Sequence, residues 1–125
     1  METEKDPRTE AIIAAAMEVH SKLGPGLLES AYEECLCHEL KLRGIPFVRQ
    51  VPLPIKYKGI QLKNGYRIDL IINDEILVEL KSVEGIHPIH KAQLLTYLKL
   101  TGKKVGLLIN FCVSSLKDGI IRRVL

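Results

Sequence analysis

The chain has 125 residues, 46% of them apolar and 26% charged, with a net charge of +3. That is enough for one domain with a real core, not two. No apolar run is long enough to cross a bilayer, and no basic-then-apolar leader opens the chain. Cys35, Cys37 and Cys112 are odd in number and lack zinc spacing, so reduced thiols in a cytoplasmic protein are expected.

Asp6-Pro7 reads as an N-cap followed by proline in the first helical position, a helix-start signal. A helix is expected over about residues 7–22, its stripe formed by Ile12, Ala15, Ala16, Val19 and Leu23, with Gly24-Pro25-Gly26 as its stop. A second helix is expected from about Leu27 to Arg43, with Leu28, Ala31, Cys35 and Leu42 on one face and Gly44 ending it. From Phe47 to Tyr57 the period shortens to that of a strand, which Pro52 and Pro54 mark as an edge or an irregular one. Lys58-Gly59 and Lys63-Asn64-Gly65 are turn signals.

Next comes a hairpin, Arg67-Ile-Asp-Leu-Ile-Ile-Asn-Asp-Glu-Ile-Leu-Val-Glu-Leu-Lys81. A three-residue loop, Asn73-Asp74-Glu75, pairs Ile72 with Ile76, Leu70 with Val78 and Ile68 with Leu80 on one apolar face. A slip of one residue would mix apolar and polar sets, so the pattern selects this register. The register also places Asp69 opposite Glu79 and Arg67 opposite Lys81. Like charges facing each other across strands destabilise a sheet; a divalent cation between them would reverse the sign, because hard cations take carboxylate oxygens. A third helix is expected over about Ile89 to Leu100, then a buried strand at Val105 to Ile109 and a short one at Ile120 to Val124. The order α-α-β-β-β-α-β-β describes an α/β domain, one mixed sheet flanked by helices.

Charge is unevenly distributed. Residues 1–39 carry nine acids and three bases, residues 40–68 seven bases and no acid, residues 69–85 five acids and one base, and residues 86–125 seven bases and one acid. Acids flanked by basic stretches suit a metal-assisted phosphodiester site, bases holding the polyanion and acids the metal. Lysines solvating strand edges would give a similar map.

Gly26-Leu-Leu-Glu29-Ser-Ala-Tyr32 opens the second helix, and Gln93 and Tyr97 stand four apart on the third, hence on one face. A helix carrying Glu, strands carrying Asp and Glu-x-Lys, and a helix carrying Gln-x3-Tyr together resemble the PD-(D/E)XK nuclease superfamily, in its RecB-like and phage-exonuclease branches. The Gly26-x-x-Glu29-x-x-Tyr32 element resembles the GxxExxY proteins. The resemblance implies a restriction-endonuclease-like fold and a nuclease dependent on Mg²⁺ or Mn²⁺, acting on nucleic acid, DNA foremost. It implies Asp69 as central metal ligand, Glu79 as second, the Leu80 carbonyl nearby and Glu29 completing the shell directly or through water. Lys81 would orient or activate the attacking water, and Gln93, Tyr97 and Arg67 would support the site or meet substrate phosphate. Ile68 stands where the superfamily has proline before its central aspartate. A fold retained only for binding nucleic acid or protein is the alternative, and the strand edges at 51–57 and at the C-terminal end are places for a second copy or a protein partner.

Overall fold

The computed structural model describes residues 6–63 and 65–125; Asn64, in the second expected turn, lies outside them. Helix α1 spans Pro7–Leu23 and α2 Glu29–Leu42. Strand β1 (Phe47–Leu53) is followed by a small hairpin, β2 (Lys56–Tyr57) and β3 (Ile60–Gln61). Strands β4 (Tyr66–Ile72) and β5 (Ile76–Lys81) precede α3 (Pro88–Thr101), β6 (Val105–Asn110), a 3-10 turn (Leu116–Gly119) and β7 (Ile120–Val124).

Five strands form one sheet in the order β1-β4-β5-β6-β7, all neighbours antiparallel except β5 and β6. The parallel pair requires a crossover, which α3 supplies. Helices α1 and α2 cover one face through Ile12, Ala16, Tyr32, Leu36 and Leu40. Helix α3 covers the other through Leu94, Tyr97 and Leu98. β5 and β6 are therefore covered on both faces, and residues 76–78 and 105–109 read as continuous apolar runs. The expected single strand from Phe47 to Tyr57 is two: β1 stops before Pro54, and the Lys58-Gly59 turn joins β2 to β3.

Asp6 caps α1 by accepting the Arg8 amide at 3.0 Å and pairs with Arg122 of β7, also at 3.0 Å. Arg8, then Arg122, hold its carboxyl well below the usual carboxylate range. The expected α1 stripe is buried except Leu23, which is exposed. The face expected for α2 is wrong: Leu28 is 77% exposed and Leu42 69%. Leu28 precedes the helix, and burial follows Tyr32, Leu36 and Leu40 instead. That stripe keeps helical spacing equally well.

The hairpin register holds only near the turn. Ile72 faces Ile76 and Leu70 faces Val78, but the β4–β5 ladder goes no further. Ile68 leaves the apolar face it shares in sequence pattern with Leu70 and packs on the α3 side. β1 does the same: Phe47 joins the α1–α2 side, Val51 and Leu53 the α3 side. Side chains two apart in a regular strand share a face, so both strands turn over at one rung, Gln50 and Asp69. Gln50 has a left-handed backbone, φ +49°. Beyond that rung β1 and β4 stay paired with each other, Arg67 facing Pro52 instead of Lys81. Past Leu70, then, the β4–β5 ladder gives way to a fork.

At the far end of β6, a Cβ on Gly119 would lie 2.1 Å from the Asn110 carbonyl oxygen. Backbone cannot swing away as a side chain can, so Gly119→Ala is expected to cost about 1–3 kcal/mol. A lowered urea midpoint with unchanged m-value would register it; an unchanged midpoint would show that the turn shifts freely.

Candidate functional site

The fork gathers the acids. Instead of facing each other across a ladder, Asp69 and Glu79 exchange side-chain bonds with opposing backbone. The Asp69 amide donates to Glu79 Oε2 at 2.8 Å, and the Leu80 amide donates to Asp69 Oδ2 at 2.8 Å. Each carboxylate thus replaces a ladder acceptor, and this is the physical reason the expected pairing of Ile68 with Leu80 fails. Among the described residues, the remaining oxygen of each accepts no backbone amide, and Asp69 Oδ1 meets the Gln50 amide nitrogen at 3.4 Å. In a strand the N–H and C=O of one residue point to the same edge, so the Leu80 carbonyl is directed toward the fork.

Glu79 is 6% exposed, and burial, reinforced by the Asp69 carboxylate, pushes its carboxyl up to about 8. Burial also raises Asp69, against the pull of the Leu80 amide. Glu29, first residue of α2, is exposed at the rim. Its carboxyl is raised by partial burial; Lys81 opposes that, while Asp69 and Glu33 reinforce it. Lys81, half-buried, ends β5 and stabilises the charged forms of all three acids.

Long-range ties fix these elements. Tyr32 donates its hydroxyl hydrogen to the Gly24 carbonyl and accepts the Leu27 amide at 3.1 Å, pinning the loop that launches α2. Its ring stacks on Phe111 with centroids 4.4 Å apart. Gly26 in that loop has φ +102°, a region closed to most side chains. Ser82 Oγ donates to the Leu27 carbonyl at 2.7 Å, joining the loop before Glu29 to the residue after Lys81. Asn110, buried, clamps both backbone groups of Val83, at 3.1 and 2.9 Å. The spacing Gly26-x-x-Glu29-x-x-Tyr32 thus has a mechanical sense: a permissive turn, an acid at the helix start, and a clamp one turn on.

Of the other expected residues, Tyr97 is buried on the α3 side, and its hydroxyl pKa is raised by burial and by nearby Glu79, Tyr66 and Asp69. Gln93 lies one turn earlier on α3, partly buried. Arg67 is exposed and donates to the Gln50 carbonyl at 3.4 Å. His87 and His90 form a reciprocal cap on α3, and His90 is lowered by burial and by Lys81. Two residues at the fork escaped the sequence reading. Glu33, buried, accepts from Arg49 at 3.0 Å and from Gln50 at 2.9 Å, and Gln50 reaches on toward Asp69. Glu33 had a signal: it stands four after Glu29, on the same helix face. Gln50 had none.

A family model described as the PD-(D/E)XK nuclease superfamily matches residues 6–124, nearly the whole chain. The chain belongs to the PD-(D/E)XK nuclease superfamily. Membership accords with the mixed five-stranded sheet between helices and gives the chain a nuclease-like character. No curated protein and no solved structure matches. PD-(D/E)XK nucleases generally use divalent metal ions. Among the described residues no three His, Cys, Asp or Glu side chains form a ready-made metal cage. The donors at the fork nevertheless suit such an ion, since Mg²⁺ keeps several waters and takes one or two carboxylates, and Asp69 and Glu79 offer two hard oxygens with an amide-free side. Among the described residues, no helix is long and apolar enough to cross a membrane.

The raised Glu79 pKa has a thermodynamic sign. Between about 4.5 and about 8 the folded state holds a proton that the unfolded state has lost, so stability falls as pH rises through that window. Without divalent ion, the unfolding midpoint is expected to drop from pH 5 to pH 8, and Glu79→Gln to flatten that part of the profile. Parallel profiles for the two proteins would place the proton elsewhere.

Proposed function

We propose that residues 1–125 act as one nuclease-like domain that hydrolyses nucleic-acid phosphodiester bonds, DNA foremost, with Mg²⁺ or Mn²⁺. The observation that carries this reading is the fork, where a buried carboxylate, Glu79, and a half-buried one, Asp69, are brought together at the expense of a strand ladder. Burying like charges is costly unless something compensates them, and a divalent cation does so.

In this reading Asp69 and Glu79 hold the ion through their amide-free oxygens, with the Leu80 carbonyl beside them and Glu29 reaching it directly or through water. When bound, such an ion acts as a Lewis acid and lowers the pKa of water. Lys81 orients the attacking water and offsets the negative charge that grows on the phosphate oxygens. Tyr97 and Gln93 support the site from α3, and Arg67 meets a substrate phosphate. Glu33 and Gln50 position Asp69. The GxxExxY resemblance belongs to the same reading: the Gly26–Tyr32 element aims Glu29 at the fork.

The test is calorimetric titration with Mn²⁺ alongside hydrolysis of labelled DNA and RNA, with Mg²⁺ and with a chelator. Ion binding together with chelator-sensitive cleavage supports the proposal. No binding heat and no cleavage would leave a fold that binds without cutting.

A further inference from the structure

The β2–β3 hairpin stands outside the five-stranded sheet and forms a sheet of its own. Lys56, Tyr57, Ile60 and Gln61 are all exposed, so little burial holds it, and two-stranded hairpins are marginal on their own. Its Lys58-Gly59 turn has φ +43° and +91°, the tight geometry that matches strand twist. Tyr57 and Ile60 pair directly across the hairpin and are 60% and 59% exposed. The Lys58 ammonium stands 5.4 Å from the Tyr57 ring centroid, presenting a cation with an aromatic face. Lys56, Lys58, Lys63 and Arg67 occur with no acid between residues 54 and 67.

The arm leads into the fork. At its base Tyr66 is 43% exposed and lines a shallow pocket of about 230 Å³ with Pro52, Pro54 and Leu62. Tyr66, Glu79 and Asp69 all act through charge to raise the Tyr97 hydroxyl pKa, so the three lie within electrostatic reach of Tyr97. Along the chain, aromatic and basic residues thus follow one another from the turn of the arm (Tyr57, Lys58) through Lys63 and Tyr66 to Arg67, two residues before Asp69.

We infer that this hairpin is a stacking arm that grips unpaired nucleic acid, so that the substrate of the fork is a single strand or a frayed end; this rests on the hydrolytic reading above. Lysines alone would serve any polyanion, duplex included. An exposed aromatic adds something only when base faces are open to stack on it, and a duplex hides them. The absence of acid along the arm argues for a polyanion over a protein partner's apolar patch. DNA and RNA share the stacking chemistry, and the oligonucleotides used for the test separate them.

Binding of labelled oligo-dT, oligo-rU and a blunt DNA duplex is measured by fluorescence anisotropy on the full chain, in chelator so that nothing is cut. The single strands are expected to bind more tightly than the duplex. Tyr57→Ala should weaken single-strand binding about tenfold or more, leave the duplex unchanged, and be rescued by Tyr57→Trp. A loss on one single strand only supports the arm and names its sugar preference. Unchanged single-strand affinity in Tyr57→Ala, or equal losses on single strand and duplex, would overturn the proposal. Tyr57 lies outside the core, so the variant keeps its fold. Because no metal is present, failed hydrolysis and failed stacking read out separately.

Discussion

Asp69→Asn is expected to abolish Mn²⁺ binding and to lower hydrolysis by about a thousandfold or more. A Lewis acid at the reacting phosphate contributes several kcal/mol, and about 1.4 kcal/mol is a factor of ten in rate. Asparagine keeps the shape and can still accept the Leu80 amide now bound at 2.8 Å, so the fork should survive and only the charge is lost. Lys81→Met makes the complementary prediction. It removes the ammonium and keeps both carboxylates, so Mn²⁺ heats should persist while hydrolysis falls about a hundredfold, the scale of losing one electrostatic stabiliser. Loss of ion binding in Lys81→Met would give the lysine a structural role. Full activity in Asp69→Asn would remove the fork from the chemistry altogether.

The second large effect concerns stability. Tyr32 is fully buried, stacks on Phe111 and makes hydroxyl bonds to Gly24 and Leu27. Tyr32→Ala removes the ring and leaves a cavity, which costs about 3–5 kcal/mol for a large aromatic. That is a large share of the roughly 5–15 kcal/mol that holds such a domain folded. Tyr32→Phe keeps the stacking and strands the loop groups, about 1–3 kcal/mol. Urea unfolding of both separates the contributions. Equal losses would mean that the hydroxyl clamp on the Gly24–Leu27 loop, not the stacked ring, carries the stability.

Local pattern made the elements readable. Asp6-Pro7, Gly24 and Gly44 marked helix ends because caps and prolines act over one or two residues. The three-residue loop after Ile72 was legible for the same reason: Asn73 and Asp74 tolerate the positive φ that it requires. What was not legible depended on distant partners. Ile68 obeys the alternation of its strand in sequence and breaks it in space, because Glu79, ten residues away, takes the amide of Asp69. Gln50 carries no mark of its left-handed backbone or of its position between Glu33 and Asp69. The face of α2 was misread because two periodic stripes competed and the choice between them rests on distant core partners, Phe111 under Tyr32 among them.

The turned rung at Gln50 and Asp69 also bears on how the molecule avoids its own kind. β1 is an outer strand of the sheet, and a flat outer strand is a template on which another chain can add itself and begin an aggregate. Here that strand reverses its faces midway and carries Pro52, which has no amide to offer. An incoming strand would find neither a continuous row of bonding groups nor one apolar side to match. The distortion that opens the fork thereby blunts the edge beside it, so substitutions that straighten β1 should cost solubility as well as the geometry of the acids.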